Sequence, residues 1–76
     1  MKFIELSIYN VPRFVNVSTI EHFDIYAMAD DKFRVQVKLF GDNIPKYLAN
    51  GKFDTEEEAS EHARMIINKI NGETIQ

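Results

Sequence analysis

The chain has 76 residues, a formal net charge of −3, and no cysteine or tryptophan, with 45% of its residues hydrophobic. That length allows one domain with a single thin core and leaves little room for a large buried cofactor. The missing thiols exclude disulfides, thiolate metal sites and cysteine nucleophiles. An excess of acids, 12 Asp and Glu against 9 Lys and Arg, opposes a nucleic-acid partner, which needs clustered positive charge. No apolar run approaches the roughly 18 residues that span a membrane. Met1 to Leu6 opens like a signal peptide but carries Glu5 inside the would-be apolar stretch, so a cytoplasmic protein is expected.

One change of periodicity organises the chain: period two gives way to period 3.6 near Phe53. Lys2 to Tyr9 reads as a strand with Ile4, Leu6 and Ile8 on one side, and Asn10-Val11-Pro12 is expected to break it. Residues 13–17 extend again, with Val15 and Val17 on one face. Ser18-Thr19-Ile20-Glu21 matches a capping box, but the alternating Phe23-Asp24-Ile25-Tyr26-Ala27 that follows makes it a single turn. Strands over 23–29 and 32–40 form a hairpin around Asp30-Asp31. The second is the clearest strand in the chain, since Phe33, Val35, Val37 and Leu39 alternate with Arg34, Gln36 and Lys38. Gly41-Asp42-Asn43 is the next turn. A weaker strand over 44–49 carries Pro45 near its start, which suggests a sheet edge, and Asn50-Gly51 predicts a further tight turn.

A helix is predicted over 55–71. Thr55 with Glu58 is a second capping box, Lys69 lies in the last turn, and Gly72 is placed to end the helix in the left-handed conformation. Ala59, Ala63, Ile66, Ile67 and Ile70 form its apolar stripe. The two alanines should let it approach the sheet closely, while the isoleucines fill the wider end. The chain is therefore expected to be a single α+β domain, an antiparallel β-meander of four to five strands with one C-terminal helix packed on one face. One helix cannot cover both faces.

The run Phe14-Val15-Asn16-Val17-Ser18-Thr19-Ile20-Glu21, two alternating strands, and Phe53-Asp54-Thr55-Glu56-Glu57-Glu58-Ala59 opening a helix resembles a loose group of small bacterial and bacteriophage proteins built as a β-meander with a terminal helix. The likeness covers residues 13 to 71. It implies a fold and an accessory or inhibitory role of the kind phages and mobile elements encode; it implies no catalytic or binding residue.

The chemistry that the residues offer is sparse. His22 and His62 are the only histidines, whereas a metal or nucleophile site needs about three convergent ligands, and their spacing gives such a site no support. Alternation puts Glu21 on the face opposite His22 and leaves Asp24 beside it. Asp54, Glu56, Glu57, Glu58 and Glu61 form an acidic cluster that could present a nucleic-acid-mimicking or cation-binding surface, but four of the five are accounted for as complements to the positive end of the helix dipole. No calcium-loop, phosphate-loop or hydrolase spacing occurs, so no enzyme activity, cofactor or metal is expected.

The sheet's second face is more informative. With Ile4, Leu6, Ile8, Phe23, Ile25, Phe33, Val35, Val37 and Leu39 turned to the helix, the other side receives Phe3, Tyr9, Tyr26, Met28 and Phe40 among Asp24, Arg34, Gln36 and Lys38. Contiguous exposed aromatics with Met and Arg characterise interaction surfaces. The sequence thus points to a non-enzymatic interaction module, through self-association or a protein partner, with Tyr26, Met28, Arg34 and Phe40 as its contact residues. The alternative is a small-ligand or nucleic-acid-binding domain; an RNA-binding sheet would also need a basic surround that is missing.

Overall fold

The computed structural model describes residues 2–72, the side chains of residues 49–51 excepted. Five strands, β1 (Phe3–Ile8), β2 (Val11–Asn16), β3 (Ile20–Ala27), β4 (Phe33–Leu39) and β5 (Lys46–Phe53), precede one helix, α1 (Glu56–Asn71). The class is α+β, as expected: an antiparallel sheet with a C-terminal helix.

The strand order is β2-β1-β5-β4-β3. Consecutive strands pair except β2 and β3, and the sheet is completed by pairing of the first strand with the last. β1 is therefore an interior strand between β2 and β5, and β5 holds the centre. The order also dictates a strongly coiled sheet. One lateral row runs Val11, Ile8, Leu48, Val35, Ile25. Asn16 lies five residues beyond Val11 toward one end, whereas Ile20 pairs with Leu39, four residues beyond Val35 toward the other. On a flat sheet they would stand about 19 Å apart laterally and about 30 Å apart lengthwise. Four residue steps span at most about 14 Å. Val17–Thr19 nevertheless joins them as one turn of 3₁₀-helix, with the Val17 N–H donating to Lys2 O and the Phe40 N–H to Thr19 O, each at 2.8 Å. Twist between successive strands has brought opposite corners of the sheet together.

Local details depart from the sequence reading at several places. The strand expected at a sheet edge because of Pro45 is instead the central strand β5, which begins at Lys46, after the proline. The break after β1 is a two-residue turn at Tyr9 and Asn10, with φ of 53° and 65°, and β2 already begins at Val11. Pro12 sits within that edge strand opposite Ser7. β3 starts at Ile20, and Glu21 is the extra residue of a bulge: Ile20 pairs with Leu39 and His22 with Lys38, two steps against one. The turn expected at Asn50-Gly51 is absent, because β5 continues through it to Phe53. There β5 takes five steps, Leu48 to Phe53, where β4 takes two, Val35 to Phe33. The ladder contact of Phe53 with Phe33 prevails over the local turn preference, and the surplus residues leave the register. Finally, Ile67 lies at the flank of the helix stripe and is 38% exposed.

α1 forms as the sequence predicts. The Thr55 hydroxyl accepts from the Glu58 N–H at 3.1 Å, and Gly72 at φ 73° donates to the carbonyls of Asn68 and Lys69. The helix crosses β4, with β3 and β5 beside it. Ala59 and Ala63 meet Leu6, Ile8, Val15, Val35, Val37 and Leu48 in the core, where the absence of bulk on the helix lets its backbone approach the sheet.

Candidate functional site

The alternation that turns Val35 and Val37 toward α1 turns Arg34, Gln36 and Lys38 outward. Their cross-strand partners Tyr26, Asp24 and His22 share that outer face, and Tyr47 joins it opposite Gln36. Tyr9 reaches the same area from the β1–β2 turn, where its N–H donates to Tyr47 O at 3.2 Å. Three tyrosines converge as a result. The Tyr9 and Tyr47 rings meet edge to face at 6.0 Å, and the Tyr26 and Tyr47 rings lie tilted at 6.1 Å. The Arg34 guanidinium stands over the Tyr47 ring, 4.8 Å from its centroid.

Two features of this cluster are unusual. Arg34 Nε is buried without a hydrogen-bond partner among the described residues, although a buried polar atom left unsatisfied costs about 1–3 kcal/mol. Most other cations of the described chain are matched: Lys32 with Asp54, Lys38 with Glu21, Lys46 with Asp42, Lys52 with Asp30 and Arg64 with Glu61. Tyr9, an aromatic residue, holds a left-handed backbone conformation that glycine or asparagine adopts far more readily. Both are local costs retained at an exposed surface, where Tyr9 is 52% and Tyr26 44% accessible.

Of the contact residues chosen from sequence, Tyr26 and Arg34 are direct cross-strand partners within the cluster. Met28, half-buried, follows two residues beyond Tyr26, at the start of the β3–β4 turn. Phe40 is 62% exposed but lies past Leu39, at the opposite end of the sheet, beside the 3₁₀ corner. At about 3.3 Å per residue it is roughly 20 Å from Arg34 along the strand. Tyr47, the centre of the cluster, was not singled out. Its strand shows no clean alternation, and only its odd phase relative to Leu48 marks it as outward.

The histidines occupy different settings. His22 Nε2 is 3.0 Å from Asp24 Oδ2, and His22 Nδ1 is 3.8 Å from Glu21 Oε2. The bulge at Glu21 thus returns that carboxylate to the His22 side, against the expectation from simple alternation. His62 stacks on Phe53 at 5.3 Å, and burial, with Lys69 adding to it, holds its pKa below the ordinary value. It also borders a cavity of about 220 Å³ between β1 and α1, lined by Ile4, Leu6, Leu48, Met65 and Ile66, with Lys69 among the polar lining residues. No group of three or more His, Asp or Glu able to hold a metal occurs among the described residues, and no helix there is long and apolar enough to cross a membrane.

The chain matches no family model, no curated protein and no solved structure.

Proposed function

We propose that the chain is a non-enzymatic protein-interaction module that receives a partner protein on the Tyr9, Tyr26, Tyr47 and Arg34 face. Arg34 carries the reading: a half-buried guanidinium over the Tyr47 ring, its Nε without a hydrogen-bond partner among the described residues, suits a partner's carboxylate, which Arg engages through paired N–H donors. Tyr and Arg also dominate the energetic centres of protein interfaces, because rigid rings order at little entropic cost. Met28 extends this surface, and Phe40 marks a separate exposed point. The resemblance to small phage-type proteins supports an accessory or inhibitory role in the cytoplasm. The apolar cavity beside β1 favours the second reading, a small-ligand-binding domain.

Panning a displayed library of random 12-residue peptides against the wild-type protein and against Arg34→Ala tests the docking reading. Expected is enrichment of peptides carrying Asp or Glu next to an apolar residue, with binding at least tenfold weaker to Arg34→Ala. Peptides that bind both proteins equally, or no enrichment at all, would overturn it.

A further inference from the structure

The two edges of the sheet differ in what they offer. On β2, the residues opposite Ser7, Glu5 and Phe3 are Pro12, Phe14 and Asn16. The two-residue turn makes Ile8 and Val11 a hydrogen-bonded pair, so Pro12, Phe14 and Asn16 direct their backbone groups away from β1. Pro12 has no N–H to offer there, and the Asn16 carbonyl already accepts from the Thr19 hydroxyl at 2.7 Å. That edge is blunted, the usual protection against strand addition.

From Phe23 to Ala27 β3 has no such protection, since its bulge at Glu21 lies before that segment. The Met28 N–H donates to Lys32 O, which fixes the phase of the β3–β4 ladder. Tyr26 and Asp24 therefore bond to β4, while Phe23, Ile25 and Ala27 direct their N–H and C=O groups outward, with no partner among the described residues. No proline or lysine lies in β3, and its two bulky outward-bonding residues, Phe23 and Ile25, remain only half-buried at the sheet margin.

We infer that β3 pairs antiparallel with β3 of a second copy of the chain, in the register centred on Ile25. This register alone lets all three outward-bonding residues of one copy meet those of the other: Ile25 faces Ile25, and Phe23 faces Ala27 twice. On the outer face it sets Tyr26 opposite Asp24 and Met28 opposite His22, so no like charges face each other. Sliding by one pairing step toward the N-terminus would put Asp24 opposite itself and lose two of the six bonds. The flanking acids do not oppose approach, because Glu21 and Asp30 are held at 3.2 and 2.7 Å by Lys38 and Lys52 of their own chain. A ten-stranded sheet results, carrying two tyrosine–arginine clusters on one continuous outer face. The inference does not depend on the docking reading, which Arg34→Ala tests separately.

Amide hydrogen exchange on the wild-type protein, with light scattering across a concentration series, is the test. Expected is a species of twice the 8.9 kDa chain mass, with slow exchange at Phe23, Ile25 and Ala27 that becomes at least tenfold faster on dilution to monomer, while Asp24 and Tyr26 stay protected throughout. Ala27→Pro, at an exposed position whose N–H bonds to nothing among the described residues, should weaken dimerisation at least tenfold with an unchanged circular dichroism spectrum. A monomer at millimolar concentration, or a dimer in which these three amides exchange rapidly, overturns the inference. Should Ala27→Pro fail to fold, the wild-type exchange pattern alone decides.

Discussion

Val35 and Arg34 are neighbours in the chain that point through opposite faces of the same strand, and substituting each by alanine separates core from surface. Val35 is fully buried against α1. Removing two methyl groups forfeits about 1.6 kcal/mol of transfer free energy, at roughly 0.8 kcal/mol each. The cavity left between strand and helix raises the loss to about 2–3 kcal/mol. Total stability for 76 residues is of the order of 4–11 kcal/mol, so Val35→Ala removes a large share. With an m-value of about 1 kcal/mol/M for so small a domain, the urea midpoint should fall by about 2–3 M. Arg34→Ala loses a cation–π contact worth about 0.5–1 kcal/mol, but it also removes a buried donor whose lack of a partner costs about 1–3 kcal/mol. Its midpoint should stay within about 1 M of wild type, or rise. Urea titration followed by circular dichroism measures both. If Arg34→Ala falls as far as Val35→Ala, the guanidinium is holding the fold together, and the case for reserving it for a partner collapses.

Thr55→Ala removes the acceptor for the Glu58 N–H and should cost about 1 kcal/mol, seen as a melting point lower by about 4–8 °C; an unchanged melting point would mean the cap is replaced by water at no loss. His62, with its pKa held below 6.5 by burial, is neutral in the folded chain where the unfolded chain already binds a proton. Its contribution is therefore complete above pH 6.5 and is lost as pH falls toward the folded value; stability of wild type should decline between pH 7 and 5 more steeply than that of His62→Gln, and parallel profiles would refute the assignment. Pro12→Ala restores an outward donor to β2 without touching the core, so monomer stability should hold within about 0.5 kcal/mol. Light scattering should then report assemblies larger than two chains, because both edges accept a strand; an unchanged mass would show that Pro12 is not what blunts β2.

What could be read in advance was whatever a few adjacent residues decide among themselves. β4 shows its faces because Phe33, Val35, Val37 and Leu39 alternate without a gap, and α1 shows its ends because Thr55, Glu58 and Gly72 bond within one turn. The Tyr26–Arg34 half of the cluster followed from that alternation. Pairings between distant segments decided the rest. Asn50-Gly51 has the local chemistry of a turn, yet the pairing of Phe53 with Phe33 carries β5 past it. Glu21 changes sides because one extra residue must be absorbed between Ile20 and His22. Tyr47 becomes the centre of the outer face only because β1 pairs with β5, bringing Tyr9 against it from a turn some forty residues earlier. That closing pair has a second consequence. It places both chain-terminal strands in the interior of the sheet and leaves as edges β2 and β3, which are joined by only the three residues Val17–Thr19. Coiling brings those edges together at a single corner only, so the rest of each must meet solvent or another chain. Pro12 settles the matter for β2; β3 carries no equivalent, and its row of outward backbone groups, unpaired among the described residues, borders the same face on which Arg34 Nε lacks a hydrogen bond.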